Sequence, residues 1–83
     1  AMSKWSKLYA ELVANRRRPL RFADLEGLLR AFGFTLARTR GSHYKHDDIP
    51  FVFTINPEGK SAHQYQKHRF LELVEEYGLH IEE

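Results

Sequence analysis

One short segment near the middle of the chain, residues 38–46, combines side chains that could act on a phosphate group. It reads Arg-Thr-Arg-Gly-Ser-His-Tyr-Lys-His and places His43 among Arg38, Arg40 and Lys45. A histidine ordinarily titrates near neutrality, so it can accept or release a proton during a reaction. Fixed cations beside it can stabilise charge that gathers on phosphoryl oxygens. The segment therefore predicts a phosphate site in which His43 transfers a proton.

These groups suit the cleavage of RNA without a metal ion. A base takes the proton of the 2′-hydroxyl, which attacks the adjacent phosphorus, and an acid protonates the leaving 5′-oxygen. His43 is the candidate for proton transfer, which contributes roughly 10²–10⁴-fold from one well-placed group. The three cations are the candidates for binding the phosphate. Gly41 and Ser42 could add backbone N–H groups, although turn chemistry alone also explains both. No second acid or base can be assigned.

Each of these residues also has a plainer interpretation. A lone histidine at a hairpin is more often a surface residue, and Arg38 and Arg40 could be ordinary solvent-facing strand residues. Tyr44 could stack on a base, but packing within the sheet is favoured. His46 lies three residues after His43, so strand alternation sends the two side chains to opposite faces. That spacing argues against a shared zinc ion, and no metal or cofactor is predicted.

The pattern around the segment predicts an α+β domain. Gly41 and Ser42 lie between two runs of β-branched and aromatic residues, which is typical of a tight hairpin turn. Apolar residues that recur at intervals of three and four predict helices elsewhere. The predicted helices cover residues 3–14, 22–32 and 64–77, and the predicted strands cover residues 34–40, 43–47 and 51–56. The expected fold is a two-layer domain with a three-stranded antiparallel sheet, helices on one face and an extra N-terminal helix.

Alternation along the strands predicts which side chains share a face. Phe34 and Leu36 should share one face of the first strand, and Phe51, Phe53 and Ile55 should share one face of the third. Residues 57–60, Pro-Glu-Gly-Lys, should end the sheet. In the N-terminal helix, the stripe that includes Trp5, Tyr9 and Leu12 is most simply core packing, but it could also dock a partner.

Composition limits the other possibilities. Eighty-three residues make one domain, and the absence of cysteine excludes disulfides and thiolate metal sites, as suits the reducing cytoplasm. The apolar runs fall short of the roughly 20 residues of a membrane span, so no membrane association is expected. All 13 Lys and Arg lie in residues 1–69, against six acidic residues, which gives +7; residues 70–83 carry −5. The basic part could attract a polyanion, although mixed charges can also simply solvate a small domain.

The order of these pieces resembles a known family. Thr39-Arg40-Gly41-Ser42-His43 is similar to the Gly-Ser-His turn of the HicA toxins, small ribonucleases of bacterial and archaeal toxin–antitoxin systems. The resemblance covers residues 21–79 and includes the helix at 22–29, Gly33-Phe34 and the segment 61–66. It implies an α-β-β-β-α fold like that of double-stranded-RNA-binding domains. It also implies that the histidine matching His43 is catalytic.

Together, the residues and the resemblance lead to one expected function. The chain is expected to be the toxin of a type II toxin–antitoxin system: a metal-independent endoribonuclease that cleaves mRNA and is inhibited by a HicB-type antitoxin. The alternative is a non-catalytic RNA-binding module of the same fold, and a third possibility is a protein-interaction domain with an acidic partner. Residues 3–83 form one domain in this interpretation. Residues 3–18, the N-terminal helix and basic linker, lie outside the resemblance.

Overall fold

The structure is a computed structural model that describes residues 3–38 and 41–81, with Arg38 described for its backbone alone. It contains three helices and five strands in these residues. The helices are α1 (Lys4–Ala14), α2 (Phe22–Ala31) and α3 (Gln64–Tyr77). The strands are β1 (Thr35–Arg38), β2 (Ser42–Lys45), β3 (Phe53–Ile55), β4 (Pro57–Glu58) and β5 (Ser61–Ala62).

Strands β1, β2 and β3 form the antiparallel sheet in that order, which confirms the predicted fold class. Strand β2 lies in the centre. Its His43 is paired with Arg38 of β1 on one side and with Thr54 of β3 on the other. The register of β1 shifts between Leu36 and Arg38, as at a β-bulge. His43 is therefore held in the middle of the sheet rather than at a free edge.

The helices cover one face of this sheet. Tyr44 and Ile55 are fully buried and belong to one apolar core with Leu25 and Leu28 of α2 and Phe70 of α3. The opposite face, which we call the open face, carries Thr35, His43, Lys45 and Thr54. Three of these four side chains are exposed and His43 is partly exposed. The alternation of a strand thus separates a packed face from one that water and ligands can reach.

Helix α1 is part of the same core. Leu12 is completely buried, and Leu8 nearly so. The indole of Trp5 lies against Gly27 of α2, where a methyl group in place of the glycine hydrogen would overlap the ring. The interpretation of the α1 stripe as core packing is confirmed for these residues, whereas Val13 of the same apolar pattern is 45% exposed. Because Leu12 is completely buried, it cannot contact a partner protein.

Aromatic contacts continue this core from one helix to the next. The ring of Tyr9 in α1 meets Phe32 edge-on at 4.9 Å, and Phe32 meets Phe70 of α3 edge-on at 5.5 Å. Edge-to-face pairs of this kind add a favourable electrostatic contribution to the burial of their area. All three helices are therefore connected through the residue at the end of α2.

Helix α3 also holds the linker between α1 and α2. Lys67 is only 1% exposed, and its ammonium donates a hydrogen bond to the carbonyl of Arg18 at 2.5 Å. Burial, and then the charge of Arg18, lower the pKa of Lys67. The Nε2–H of His68 donates to the carbonyl of Arg16 at 3.0 Å, and the guanidinium of Arg16 lies 2.9 Å from Glu75. The basic linker is thus attached to the domain by its backbone.

Residues 57–62 form a second hairpin that the sequence pattern did not predict. Strands β4 and β5 pair with each other instead of merely ending the sheet. The hairpin is attached to the start of α2, because Ala62 N–H donates to the Leu20 carbonyl and Phe22 N–H donates to the Lys60 carbonyl. This contact leaves a groove between the hairpin and the first turn of α2.

Phe53 and Ile55 lie together in the core, and Leu36 lies on the packed face as the register partner of Tyr44, but the Leu36 and Phe51 side chains are not buried. Leu36 is 44% exposed and Phe51 is 41% exposed. β1 is an edge strand, so Leu36 lacks a neighbouring strand on one side. Phe51 precedes β3 and instead lies near the guanidinium of Arg69, 5.8 Å from its ring centre. Phe34 is buried, although it lies just before β1.

Candidate functional site

His43 is oriented on the open face by the strand next to it. Its Nδ1 lies 3.0 Å from the Oγ1 of Thr54, a hydrogen-bonding distance. Lys45 lies two residues further along β2, on the same face, and is exposed. A bond that engages one ring nitrogen defines the role of the other nitrogen. Nε2 is thus the nitrogen of His43 best placed to exchange a proton with a ligand.

Gly41 provides the space beside that nitrogen. A Cβ at Gly41 would come within 3.1 Å of His43 Nε2 and 3.3 Å of its Cδ2. The backbone of Gly41 also has a φ of +80°, which L-residues with a side chain rarely adopt. The glycine therefore serves both the turn, as predicted, and the position of the imidazole, which turn chemistry alone did not indicate.

The other side of β2 is attached to α2 through one carboxylate. The Tyr44 hydroxyl donates to Glu26 Oε2 at 2.6 Å, and the Ser42 hydroxyl donates to the same oxygen at 3.4 Å. Burial, and then the hydrogen bond to Glu26, raise the pKa of Tyr44 to about 12. The interpretation of Tyr44 as a packing residue is confirmed. The hydroxyl of Ser42 faces Glu26, so only its backbone remains a candidate for phosphate.

Part of the predicted site lies outside the described residues. This applies to Arg40 and to the side chain of Arg38, whose backbone is paired with His43. They stay predicted phosphate ligands. Of the three predicted cations, Lys45 is the one whose side chain the structure places, on the same face as His43.

His46 has a structural role apart from His43. Its Nε2–H donates to the Phe32 carbonyl at 3.0 Å, and its Nδ1 accepts the N–H of Asp48 at 3.0 Å. Its ring also meets Phe34 edge-on at 5.0 Å. Both nitrogens are thus engaged in holding the loop after β2. Within residues 3–38 and 41–81, no three His, Cys, Asp or Glu side chains are grouped so that they could hold a metal ion.

Sequence analysis missed two residues of this site, Thr54 and Glu26. Thr54 is an ordinary strand residue by its pattern, and it becomes a partner of His43 only through the register of β2 with β3. Glu26 lies in the first turns of a helix, where a solvent-exposed carboxylate is common, yet its carboxylate accepts hydrogen bonds from two hydroxyl groups of β2. No local signal distinguishes either residue.

If His43 transfers a proton in RNA cleavage, as the sequence predicts, Gly41→Ala should slow that cleavage by about 10–100-fold, because displacement of a reacting group by about 1 Å costs on this scale. The added methyl would press on the His43 ring, and the backbone would become strained by about 1–2 kcal/mol. Gly78→Ala is the matched control, since Gly78 has a φ of +60° with nothing within 4 Å of the added Cβ. Equal loss of cleavage in both variants would show that strain alone matters. Cleavage rates and urea unfolding measure the two effects.

The Tyr44 phenol should make stability fall in alkaline solution. Its pKa is about 10 when unfolded and about 12 when folded, so its contribution is complete below pH 10 and is lost as the pH rises through 12. The shift corresponds to a loss on the order of 2 kcal/mol. Urea unfolding between pH 9 and 12 should show this extra loss in the wild type and in Tyr65→Phe, which removes an exposed phenol, but not in Tyr44→Phe. Identical pH profiles for wild type and Tyr44→Phe would contradict the assignment.

No helix in the described part of the chain is both long enough and apolar enough to cross a membrane. Comparisons of the chain with protein-family models, with curated proteins and with solved structures found no match.

Proposed function

We propose that this protein is a toxin of the HicA type: a metal-independent endoribonuclease that acts on mRNA in the cytoplasm and is inhibited by a HicB-type antitoxin. One observation carries the proposal. His43 projects on the open face, its Nδ1 is engaged by Thr54, and its Nε2 lies beside Gly41, where a Cβ would come within 3.1 Å of it. The resemblance of residues 21–79 to the HicA pattern supports the same assignment.

The chemistry follows from the position of Nε2. In its unprotonated form, Nε2 removes the proton of a ribose 2′-hydroxyl, whose oxygen then forms a bond to the adjacent phosphorus. The bond from phosphorus to the 5′-oxygen breaks, and that oxygen takes a proton from water, so the products carry a 2′,3′-cyclic phosphate and a 5′-hydroxyl. Lys45, on the same face, stabilises the negative charge on the phosphoryl oxygens. Arg38 and Arg40 are proposed to add to this charge stabilisation.

The surface around His43 also suits an inhibitor that competes with RNA. Residues 1–69 carry a net charge of +7, so both RNA and an acidic protein surface are attracted to them. A stable protein complex buries at least about 1,000 Å² in total, which is more than a hairpin of this size supplies. We therefore expect the antitoxin to cover the open face and to extend onto a helix, with the buried side of α1 excluded.

A cleavage assay tests the enzymatic part directly. The purified protein should cleave single-stranded RNA in the presence of EDTA, and the fragments should carry 2′,3′-cyclic phosphate and 5′-hydroxyl ends. Expression in a bacterial host should arrest growth, and coexpression of the antitoxin should relieve the arrest. Loss of cleavage on adding EDTA would contradict the metal-independent mechanism, and 3′-hydroxyl ends would contradict the attack by the 2′-hydroxyl.

The second candidate is an RNA-binding module without catalysis. The predicted α-β-β-β-α order and the basic surface favour RNA binding whether or not His43 reacts. RNA that binds, remains intact, and binds equally well to the His43→Ala variant would select this candidate.

A further inference from the structure

A groove of about 420 Å³ lies between the start of α2 and the β4–β5 hairpin. Arg21, Phe22 and Asp24 line it on the α2 side, and Lys60 lines it on the hairpin side. The volume falls in the range of small-molecule binding sites, roughly 300–1,000 Å³. The hydrogen bond from Phe22 N–H to the Lys60 carbonyl joins the two walls at 2.9 Å. The groove is therefore a fixed part of the fold, because a backbone hydrogen bond holds its two sides together.

The side chains around the groove combine two cations with an aromatic ring. Arg21 and Lys60 are exposed, and neither forms an ion pair with another described residue. Phe22 is partly exposed and rests on the core behind it. Asp24, also without an ion pair among the described residues, contributes a carboxylate. Such a lining offers positive charge, a flat apolar surface and one hydrogen-bond acceptor.

One wall of the groove lies near His43 along the chain. Thr54 contacts the His43 ring, and Pro57, which also lines the groove, follows three residues later along the chain. Three residues span at most about 11 Å, so this wall begins within that distance of the residue that holds His43. Glu26 of α2, by contrast, contacts the Ser42 side chain on the packed face, opposite the open face that carries His43. An RNA strand that occupies both the groove and the His43 site must therefore pass around the end of the sheet.

We propose that the groove is a subsite for a nucleotide of the single-stranded RNA that is cleaved at His43. This inference rests on the proposed function. The base stacks on the Phe22 ring, Arg21 and Lys60 bind a phosphate, and Asp24 accepts a hydrogen bond from the amino group of the base. A nucleotide uses all three features, whereas an acidic peptide uses the charges alone. Asp24 therefore favours cytosine, whose exocyclic amino group donates, over uracil, which has an oxygen in that place.

Binding of a 2′-O-methyl oligonucleotide tests the subsite, because the blocked hydroxyl prevents cleavage. Fluorescence anisotropy with the full chain should show about 5- to 100-fold weaker binding for Ala23→Leu, which fills the groove from an exposed position of α2 without a change in charge. Phe22→Leu, which retains an apolar side chain but lacks the ring, should weaken binding similarly. Since Phe22 contacts the core, Ala23→Leu keeps the test valid if Phe22→Leu fails to fold.

Variants that remove one positive charge distinguish a direct phosphate contact in the groove from the general attraction of RNA to a basic protein. Lys60→Gln should lower the slope of log affinity against log salt by about one unit. Lys7→Gln removes the same charge from an exposed position of α1, outside the groove, and should change affinity less than twofold. Equal effects of Lys60→Gln and Lys7→Gln would overturn the subsite, as would wild-type affinity in Ala23→Leu. Displacement of the oligonucleotide by an acidic peptide of the same charge at equal concentration would also overturn it, in favour of a protein ligand.

Base preference provides an independent readout. The wild type should bind an oligocytidine more tightly than an oligouridine of equal length, and Asp24→Asn should reduce that difference. An unchanged preference in Asp24→Asn would contradict the role of the carboxylate. If cleavage by the wild type is confirmed while the groove variants cleave with unchanged KM, the subsite is wrong and the proposed function stands. If the wild type neither binds nor cleaves RNA, both fail.

Discussion

Replacing His43 with alanine is expected to lower the rate of RNA cleavage by about 10²–10⁴-fold, the usual contribution of one group that transfers a proton in the transition state. His43 is partly exposed and contacts Thr54 rather than the apolar core, so its removal should leave the fold nearly intact. RNA affinity should also change little, because phosphate contacts come from the neighbouring cations. Single-turnover cleavage, RNA binding and thermal unfolding measure these three quantities separately.

Two further variants make this result specific. His80→Ala removes an exposed histidine near the end of the described chain and should cleave RNA at the wild-type rate. His43→Asn can still form a hydrogen bond to Thr54 but has no group that titrates near neutrality. It should therefore be as inactive as His43→Ala. Activity restored by asparagine would show that His43 positions another group and does not itself transfer the proton.

Truncating Leu12 to alanine is expected to destabilise the domain by about 2–5 kcal/mol, because the side chain is completely buried and its loss leaves a cavity. A domain of this length has a free energy of unfolding of only about 4–12 kcal/mol. The variant should thus lose a large fraction of its stability. Urea unfolding monitored by circular dichroism measures the difference.

Val13→Ala is the matched control for this prediction. Val13 is the next residue of the same helix, but it is 45% exposed, and its truncation should change stability by less than about 0.5 kcal/mol. If the two variants prove equally stable, α1 does not belong to the core in solution. Its apolar stripe would then again be available to the proposed antitoxin, as the sequence alone allowed.

Elements that depend on neighbouring residues could be predicted from the sequence. The spacing of Leu25, Leu28 and Leu29 identifies a helix, because one face of a helix recurs every three to four residues. The glycine of the hairpin and the flanking β-branched runs place β1 and β2, and they place His43 on the return strand. The three-stranded antiparallel sheet with its helices follows from this order. Local periodicity was sufficient for these features because each depends on only a few consecutive residues.

Features that depend on distant contacts could not be obtained in this way. From the sequence, Lys67 would be expected in solvent. Its side chain is instead buried, and its ammonium donates a hydrogen bond to the carbonyl of Arg18, which is 49 residues earlier in the chain. Thr54 becomes the partner of His43 through strand register, and Glu26 becomes the acceptor of Tyr44 through the docking of α2 on the sheet.

The periodicity of a sequence shows which face of an element is apolar, but it does not show which element covers that face. For that reason the sequence alone determined the helices, the hairpin and the candidate histidine. Only the packing of separate elements decided how the histidine is held, where the N-terminal helix lies, and that a groove lies between α2 and the second hairpin.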